Sequence, residues 1–349
     1  MLISLAQALA PRAGLTLSIS AQSDLVAETL ALGLPCDLVP TYTSTAGFLA
    51  GFARIPALRR RLLRQAIAHQ ADAVVSVMTH LWTPLIAPGL ARAGIAYLPL
   101  VHDAAPHPGD PATFWSWRLR RELAAARVAF PLSEAVERQI HAVRPDLPLR
   151  RMRLGAHLPI EAMAVPRPRR PGPIRLLMFG RLRAYKGLDL LRDAWRELPE
   201  GRFTLRIVGD GPAEQLAPGL ATLPGVVLEQ RWVAEAEIPH LLASADALVL
   251  PYREASQSGV IPIAHALGLP VVVTPAGGLA EQLRDGVDGV LAEAISAPAL
   301  AQALLLLAEP DVLERLAEGA RANRAGLADW SGQAELILAT VAEARVVAS

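Results

Sequence analysis

The sequence predicts an α/β protein built from two Rossmann-like, doubly wound parallel-sheet domains. Three observations carry this expectation. Short apolar runs alternate with helical stretches through the second half of the chain, which is the pattern of βαβ units. Near the middle, residues 159–173 read PIEAMAVPRPRRPGP, a stretch that can form neither a regular helix nor a central strand and so reads as a linker. The charge divides at the same place. Residues 1–170 hold 19 Arg against 11 acids, a balance of +8, and residues 171–349 hold 15 Lys and Arg against 22 acids, a balance of −7. A chain of 349 residues gives each half enough length to bury its own core. The expected divisions are residues 1–158, the linker 159–173, a second domain at 174–325 and a closing segment at 326–349.

In the first half, residues 15–20, 73–77, 96–101 and 128–131 read as strands, and residues 55–69 and 114–126 as helices. The start is unusual. Residues 4–10 read as a helix ahead of any strand, whereas a doubly wound domain opens with a strand and a glycine-rich turn. That unit is expected to be absent or to lie upstream of Met1. In the second half, strands are expected at 174–179, 203–208, 226–228, 247–250, 270–274 and 289–292. Helical stretches fall at 187–198, 236–243, 258–267 and 279–284. Ligands of such sheets bind at the carboxyl ends of the strands.

Composition narrows the function. Charged residues are 19% and hydrophobic residues 52%, which excludes a disordered chain. The longest uncharged stretches are broken by prolines and glycines, so no spanning helix is expected. There is no signal-peptide pattern, and the single cysteine, Cys36, cannot form an internal disulfide; both point to the cytoplasm. Lysine occurs once, at Lys186, in a chain whose other basic side chains are all arginine. A lysine that persists in such a background suits a site needing a compact point charge, as phosphate oxygens in a tight turn do.

Four motifs carry chemistry. In FGRLRAYKG, an apolar strand ends at Gly180, and Arg181 and Lys186 flank the turn before the next helix, an arrangement that can cradle a diphosphate. Arg183 in the same turn reads as an ordinary solvated charge. In LRIVGDGP, a strand runs into Gly209, Asp210 and Gly211, a tight turn where backbone can approach a ligand. It lacks the third glycine of a dinucleotide fingerprint, which disfavours a nicotinamide cofactor. In the loop that opens PYREASQSGV, Ser256, Ser258 and Gly259 can offer hydroxyls and backbone N–H groups to phosphate, or a serine can simply cap the helix. Glu281 fits either this site or the role of a helix-start acid. In the first half, His102 and Asp103 close an apolar run, with His107 shortly after; the pair suits sugar hydroxyls or proton handling, and a structural histidine is the plainer alternative. No zinc spacing and no Asp-x-Asp pair is present, so no metal and no cofactor is expected.

Together, GRLRAYKGLDLL, LRIVGDGP, LVLPYREASQSGVIPIAHALGLPVV, GGLAE and DGVDGVL resemble, in order and spacing, the family 4 glycosyltransferases of the retaining GT-B type. The likeness extends more weakly through VHDAAPHPGD and PLSEAV, and to Trp330, which opens a last helix similar to the family's return to the first domain. The resemblance implies two Rossmann-like domains across a cleft, an acceptor side in the first and a nucleotide-sugar site in the second. It implies that Arg181 and Lys186 bind the diphosphate, that His102 faces the transferred sugar, and that the amides of Ser258, Gly259 and Val260 meet the diphosphate. Gly180, Gly209, Asp210, Gly211 and Ser256 join this donor set, with Asp103, Trp232, Glu254 and Glu281 as further candidates. The partners expected are a nucleotide-sugar donor and a saccharide or lipid-linked acceptor, as in polysaccharide synthesis, and no nucleic acid.

Beyond the missing opening strand and glycine loop, one further departure stands out. The family's two glutamates fall here at Ala255 and Ile263, with Glu254 one position off, so the loop resembles a variant subgroup in which Ser-Gln-Ser-Gly replaces the first part and the ribose contact is lost. A non-catalytic nucleotide-sugar-binding relative and a nucleotide-sugar 2-epimerase are the alternatives. The arginines of the helix at 55–69 (Arg59, Arg60, Arg61 and Arg64), opposite an expected apolar side of Ile55, Leu58, Leu62, Leu63 and Ile67, raise a further expectation of peripheral contact with anionic membrane at its inner face.

Overall fold

The computed structural model describes residues 1–106, 112–156 and 172–346. The chain divides into two compact units, one of residues 1–106, 112–153 and 330–346, the other of 154–156 and 172–329. The boundary thus falls at Arg153, and the last helix, Ser331–Val346, counts with the first unit, where it packs on the opening helix Leu2–Leu9. Most of the expected linker, and His107, lie outside the described residues.

Five short strands build the first unit: β1 (Leu17–Ser20), β2 (Cys36–Val39), β3 (Ala73–Ser76), β4 (Ala96–Val101) and β5 (Phe130–Pro131). All pair in parallel, as β1–β2 and as β3–β4–β5. Strand β2 was not expected. Asp37 breaks its apolar run, and in the fold Asp37 accepts hydrogen bonds from Arg61 of helix Ile55–Ala68. The strand expected at 128–131 shrinks to Phe130–Pro131, because Ala129 bridges to Leu149 instead. Beneath β4, Tyr97, Leu119, Leu123, Val136 and Ile140 form the core.

Six parallel strands build the second unit: β6 (Ile174–Phe179), β7 (Phe203–Val208), β8 (Val226–Glu229), β9 (Ala247–Leu250), β10 (Val271–Val273) and β11 (Gly289–Leu291). Their spatial order is β8-β7-β6-β9-β10-β11. Numbered from β6 this is 3-2-1-4-5-6, the Rossmann order, and the order reverses between β6 and β9. Continuous apolar runs are what a sheet covered on both faces requires. Leu176 and Met178 point into one core with Leu191 and Leu304, and Leu177 and Phe179 into the other with Leu248 and Ile263. Two of the expected helices are partly or wholly 3-10 turns. Residues 236–243 divide into a 3-10 turn, Glu235–Glu237, and a helix, Ile238–Ala243, with Pro239 in its first turn. Residues 279–284 are replaced by a 3-10 turn at Gly277–Gln282.

Candidate functional site

The strand order reverses between β6 and β9, and the region outside the carboxyl ends of the strands at such a reversal is where open α/β sheets hold ligands. Four loops of the second unit converge there, and glycines let them pack backbone on backbone. A side chain on Gly187, which has φ 68°, would overlap the carbonyl oxygen of Pro251. A side chain on Gly277 would overlap the carbonyl of Ala255. Gly209 and Gly211 lie against the carbonyls of Gly180 and Leu182, and the Leu182 N–H donates to the Asp210 carbonyl at 2.7 Å. Gly209, Asp210 and Gly211 therefore have a structural reason to be where they are: they seat the loop after β6. Their close approach is to Leu182 and Gly180, where the sequence suggested an approach to a ligand.

The loop after β6 carries the cations. A 3-10 turn, Ala184–Lys186, ends at Gly187, and helix Leu188–Arg196 follows. Lys186 Nζ donates to Tyr252 Oη at 2.9 Å and lies 4.7 Å from the centre of the Tyr252 ring. Tyr252 is buried, with Tyr185 edge-on against it at 6.2 Å. The Tyr252 carbonyl accepts from the Thr274 hydroxyl. Lys186 is thus partly buried on a fixed aromatic seat, a favourable place for a cation. Arg181 is exposed and makes no hydrogen bond or ion pair among the described residues. Arg253 ties the loop down: its N–H donates to the Tyr185 carbonyl at 2.7 Å, and its guanidinium pairs with Asp189 at 2.6 Å. That pair is half exposed and so contributes little energy.

The loop after β9 behaves differently. Ser256 and Ser258 are buried, and the helix begins at Val260, two residues later than expected. The Ser258 N–H donates to Gln282 Oε1 at 2.7 Å, and the Gln282 amide donates back to the Ser258 carbonyl at 3.0 Å. Ser258 Oγ accepts from the Val260 N–H at 3.4 Å, a weak cap. Of the three amides expected to meet a diphosphate, two are engaged, that of Ser258 by Gln282 and that of Val260 weakly by Ser258 Oγ. Only the Gly259 N–H has no partner among the described residues, and open space lies where its side chain would be. Glu254 and Glu281 are exposed at the loop surfaces, and Ile263, at the position of the resembling family's second glutamate, is buried in the apolar core. Trp232 is 70% exposed beyond the end of β8. Tyr252 and Gln282 were missed by the sequence reading. The Pro251-Tyr252 step after a strand was the available signal for the first; nothing local marks the second.

In the first unit, His102 follows β4 and is half-buried. Its Nε2 donates to the Val77 carbonyl at 3.0 Å, which makes Nδ1 the acceptor nitrogen of the neutral ring. Burial holds its pKa below the ordinary 6.5, while the Val77 carbonyl and Asp103 pull the other way. Asp103 is half-buried beside it. Among the described residues no group of three His, Cys, Asp or Glu could hold a metal ion, and no helix is long and apolar enough to cross a membrane.

Residues 173–309 match the family model described as glycosyl transferases group 1. The GDP-mannose:glycolipid 4-beta-D-mannosyltransferase of Xanthomonas campestris pv. campestris is 34% identical over 108 residues, 29% of this chain and 30% of that protein. The D-inositol 3-phosphate glycosyltransferase of Frankia alni is 34% identical over 180 residues, 47% of this chain and 44% of that protein. The chain thus spans less than half the length of either relative. Among solved structures, Anabaena Alr3699/HepE in complex with UDP and glucose superposes with a TM-score of 0.74 over 98% of this chain and 94% of that one, at 19% identity. A glycosyltransferase from Rickettsia africae ESF-5 gives 0.72 over 98% and 93%, at 17% identity. The fold is GT-B.

Proposed function

We propose that this protein is a glycosyltransferase that moves a sugar from a nucleoside-diphosphate donor to a saccharide or lipid-linked acceptor, gripping the diphosphate with Arg181 and Lys186. The observation that carries the reading is the placement of Lys186 at the reversal point of the sheet, held by Tyr252, with Arg181 exposed at the other end of the same loop. As the bond from the anomeric carbon to the phosphate oxygen breaks, negative charge grows on the leaving diphosphate. Two cations stabilise that charge, Lys186 already seated on Tyr252, and the Gly259 N–H adds a donor. These cations supply what a divalent ion would supply elsewhere, so transfer should survive chelator. His102 is the first-unit group that faces the sugar in this reading, and Trp232 offers an exposed ring face for a base.

Retention of anomeric configuration is the stereochemistry proposed, with the leaving phosphate oxygen taking the acceptor proton. NMR of the product anomer reads this directly, and an inverted product would overturn retention alone. The experiment for the function itself is an assay of transfer and hydrolysis across UDP- and GDP-sugars, with Lys186→Ala as control. A wild-type protein that binds a donor and neither transfers nor hydrolyses its sugar would favour a binding-only relative. Ala255 and Ile263 at the glutamate positions are what recommend that alternative.

A glycolipid acceptor, as named for the Xanthomonas relative, would place the protein at the inner face of a membrane. The structure revises the surface that would make the contact. Arg61 is paired with Asp37, the stem of Arg59 lies over Gly89, and Ile67 points outward, 64% exposed, instead of joining the apolar side. Arg60 and Arg64 remain exposed on this helix, and Leu49 and Phe52 are exposed just before it. Residues 38–71 contain no acid. Each exposed arginine near an anionic surface contributes on the order of 1 kcal/mol, and salt weakens it.

A further inference from the structure

Among the described residues of the first unit, one carboxyl group is buried. Glu122, on helix Ala112–Ala125, is 4% exposed. Its Oε1 accepts hydrogen bonds from Tyr97 Oη at 2.7 Å and from Thr79 Oγ1 at 2.9 Å. Tyr97 is buried in β4, the strand that pairs in parallel with β3. Ser76 ends β3, and Thr79 lies three residues further on. Between them stands Val77, whose carbonyl oxygen receives the hydrogen bond from His102 Nε2. The buried carboxyl is therefore tied to β4 and to Thr79, two residues beyond the backbone oxygen that accepts from the imidazole.

An apolar residue would fill this space without a desolvation cost, and replacing buried charges by apolar groups is often neutral or stabilising. Burial does push the Glu122 carboxyl above its ordinary range, against the pull of the Tyr97 and Thr79 hydroxyls and the Arg118 charge. A carboxyl kept at such a place calls for a reason beyond packing.

We propose that Glu122 is a positioning residue for His102, holding the turn at Ser76–Thr79 so that the Val77 carbonyl fixes the ring with Nε2 as donor and Nδ1 as acceptor. The proposal rests on the reading of His102 as the group that faces the transferred sugar, but its test does not require a donor. In protein labelled with 15N-histidine, the His102 Nε2–H should exchange slowly with solvent while it is bonded to Val77. Glu122→Leu removes both acceptor contacts and should speed that exchange about tenfold or more. Glu122→Gln keeps an oxygen acceptor and should restore the wild-type rate. Thr79→Val, close in volume and only half-buried, removes one side of the clamp and covers the case in which the leucine variant does not fold. With activity in hand, kcat should fall about ten- to a hundredfold in Glu122→Leu while KM for the donor stays within about twofold, since small misplacement of a reacting group costs rate. A folded Glu122→Leu or Thr79→Val protein whose His102 Nε2–H exchanges at the wild-type rate would overturn the proposal. Failure of the transfer assay alone would count against the transferase reading and leave the ring measurement standing.

Discussion

The loops after β6 and after β9 meet at one reversal point, yet they are built on opposite plans. The first keeps its cations outward: Arg181 is exposed, and Lys186 needs only the Tyr252 hydroxyl and ring beneath it. The second turns its polar groups inward, with the Ser258 amide and carbonyl both taken by Gln282. Both loops resemble diphosphate-binding segments in sequence, but the first leaves the Arg181 charge exposed while the second engages the polar groups of Ser258. The comparison separates residues that would grip a ligand from residues that hold the grip in shape.

The comparison breaks first at Lys186. Lys186→Ala, and likewise Arg181→Ala, should lower kcat/KM by roughly 10²–10³, about 2.7–4 kcal/mol in the barrier, with the melting temperature nearly unchanged. Lys186→Arg should rescue little, because the larger planar fork does not reproduce the compact charge that donates to Tyr252 Oη. The shaping residues should behave the other way round. Gly277→Ala sets a side chain against the Ala255 carbonyl at φ 52° and should destabilise by about 1–3 kcal/mol, read in denaturant melts. Gln282→Ala leaves the Ser258 amide and carbonyl without their partner; if water cannot reach them the cost is about 1–3 kcal/mol of stability. If donor affinity rises in that variant, Gln282 competes with phosphate for the Ser258 N–H; if it falls, Gln282 shapes the loop. Ser258→Ala, which removes a 3.4 Å cap, should cost well under the usual ~1 kcal/mol of an N-cap.

The smallest effect expected is with pH. His102 and His80 are both held below the ordinary histidine value by burial. The unfolded chain takes up these protons first, so stability is whole above about pH 6.5 and is lost as pH falls through the depressed folded values. Melting at pH 7, 6 and 5 should show a shallower loss in His102→Gln.

The second unit was legible because its strands lie in a sheet covered on both faces, which forces continuous apolar runs such as Ile174–Phe179. Its Arg181 and Lys186 stood out by local order along the chain. Strand β2 was hidden because Asp37 is balanced by Arg61, 24 residues away. The role of Gln282 at Ser258 was hidden for the same reason, and so was the seating of Gly209 and Gly211 against Leu182. Ile67 was misplaced because helical periodicity alone does not say how much of an apolar stripe a neighbour covers.

The most direct test of the central claim is calorimetric titration of UDP and GDP into the wild-type protein and into Arg181→Ala and Lys186→Ala, at one fixed salt concentration. The account predicts measurable binding of at least one nucleotide by the wild type, weakened about tenfold or more in each variant, since one lost charge-assisted contact to phosphate is worth roughly 1.5–3 kcal/mol. Binding by both variants at the wild-type affinity would contradict it.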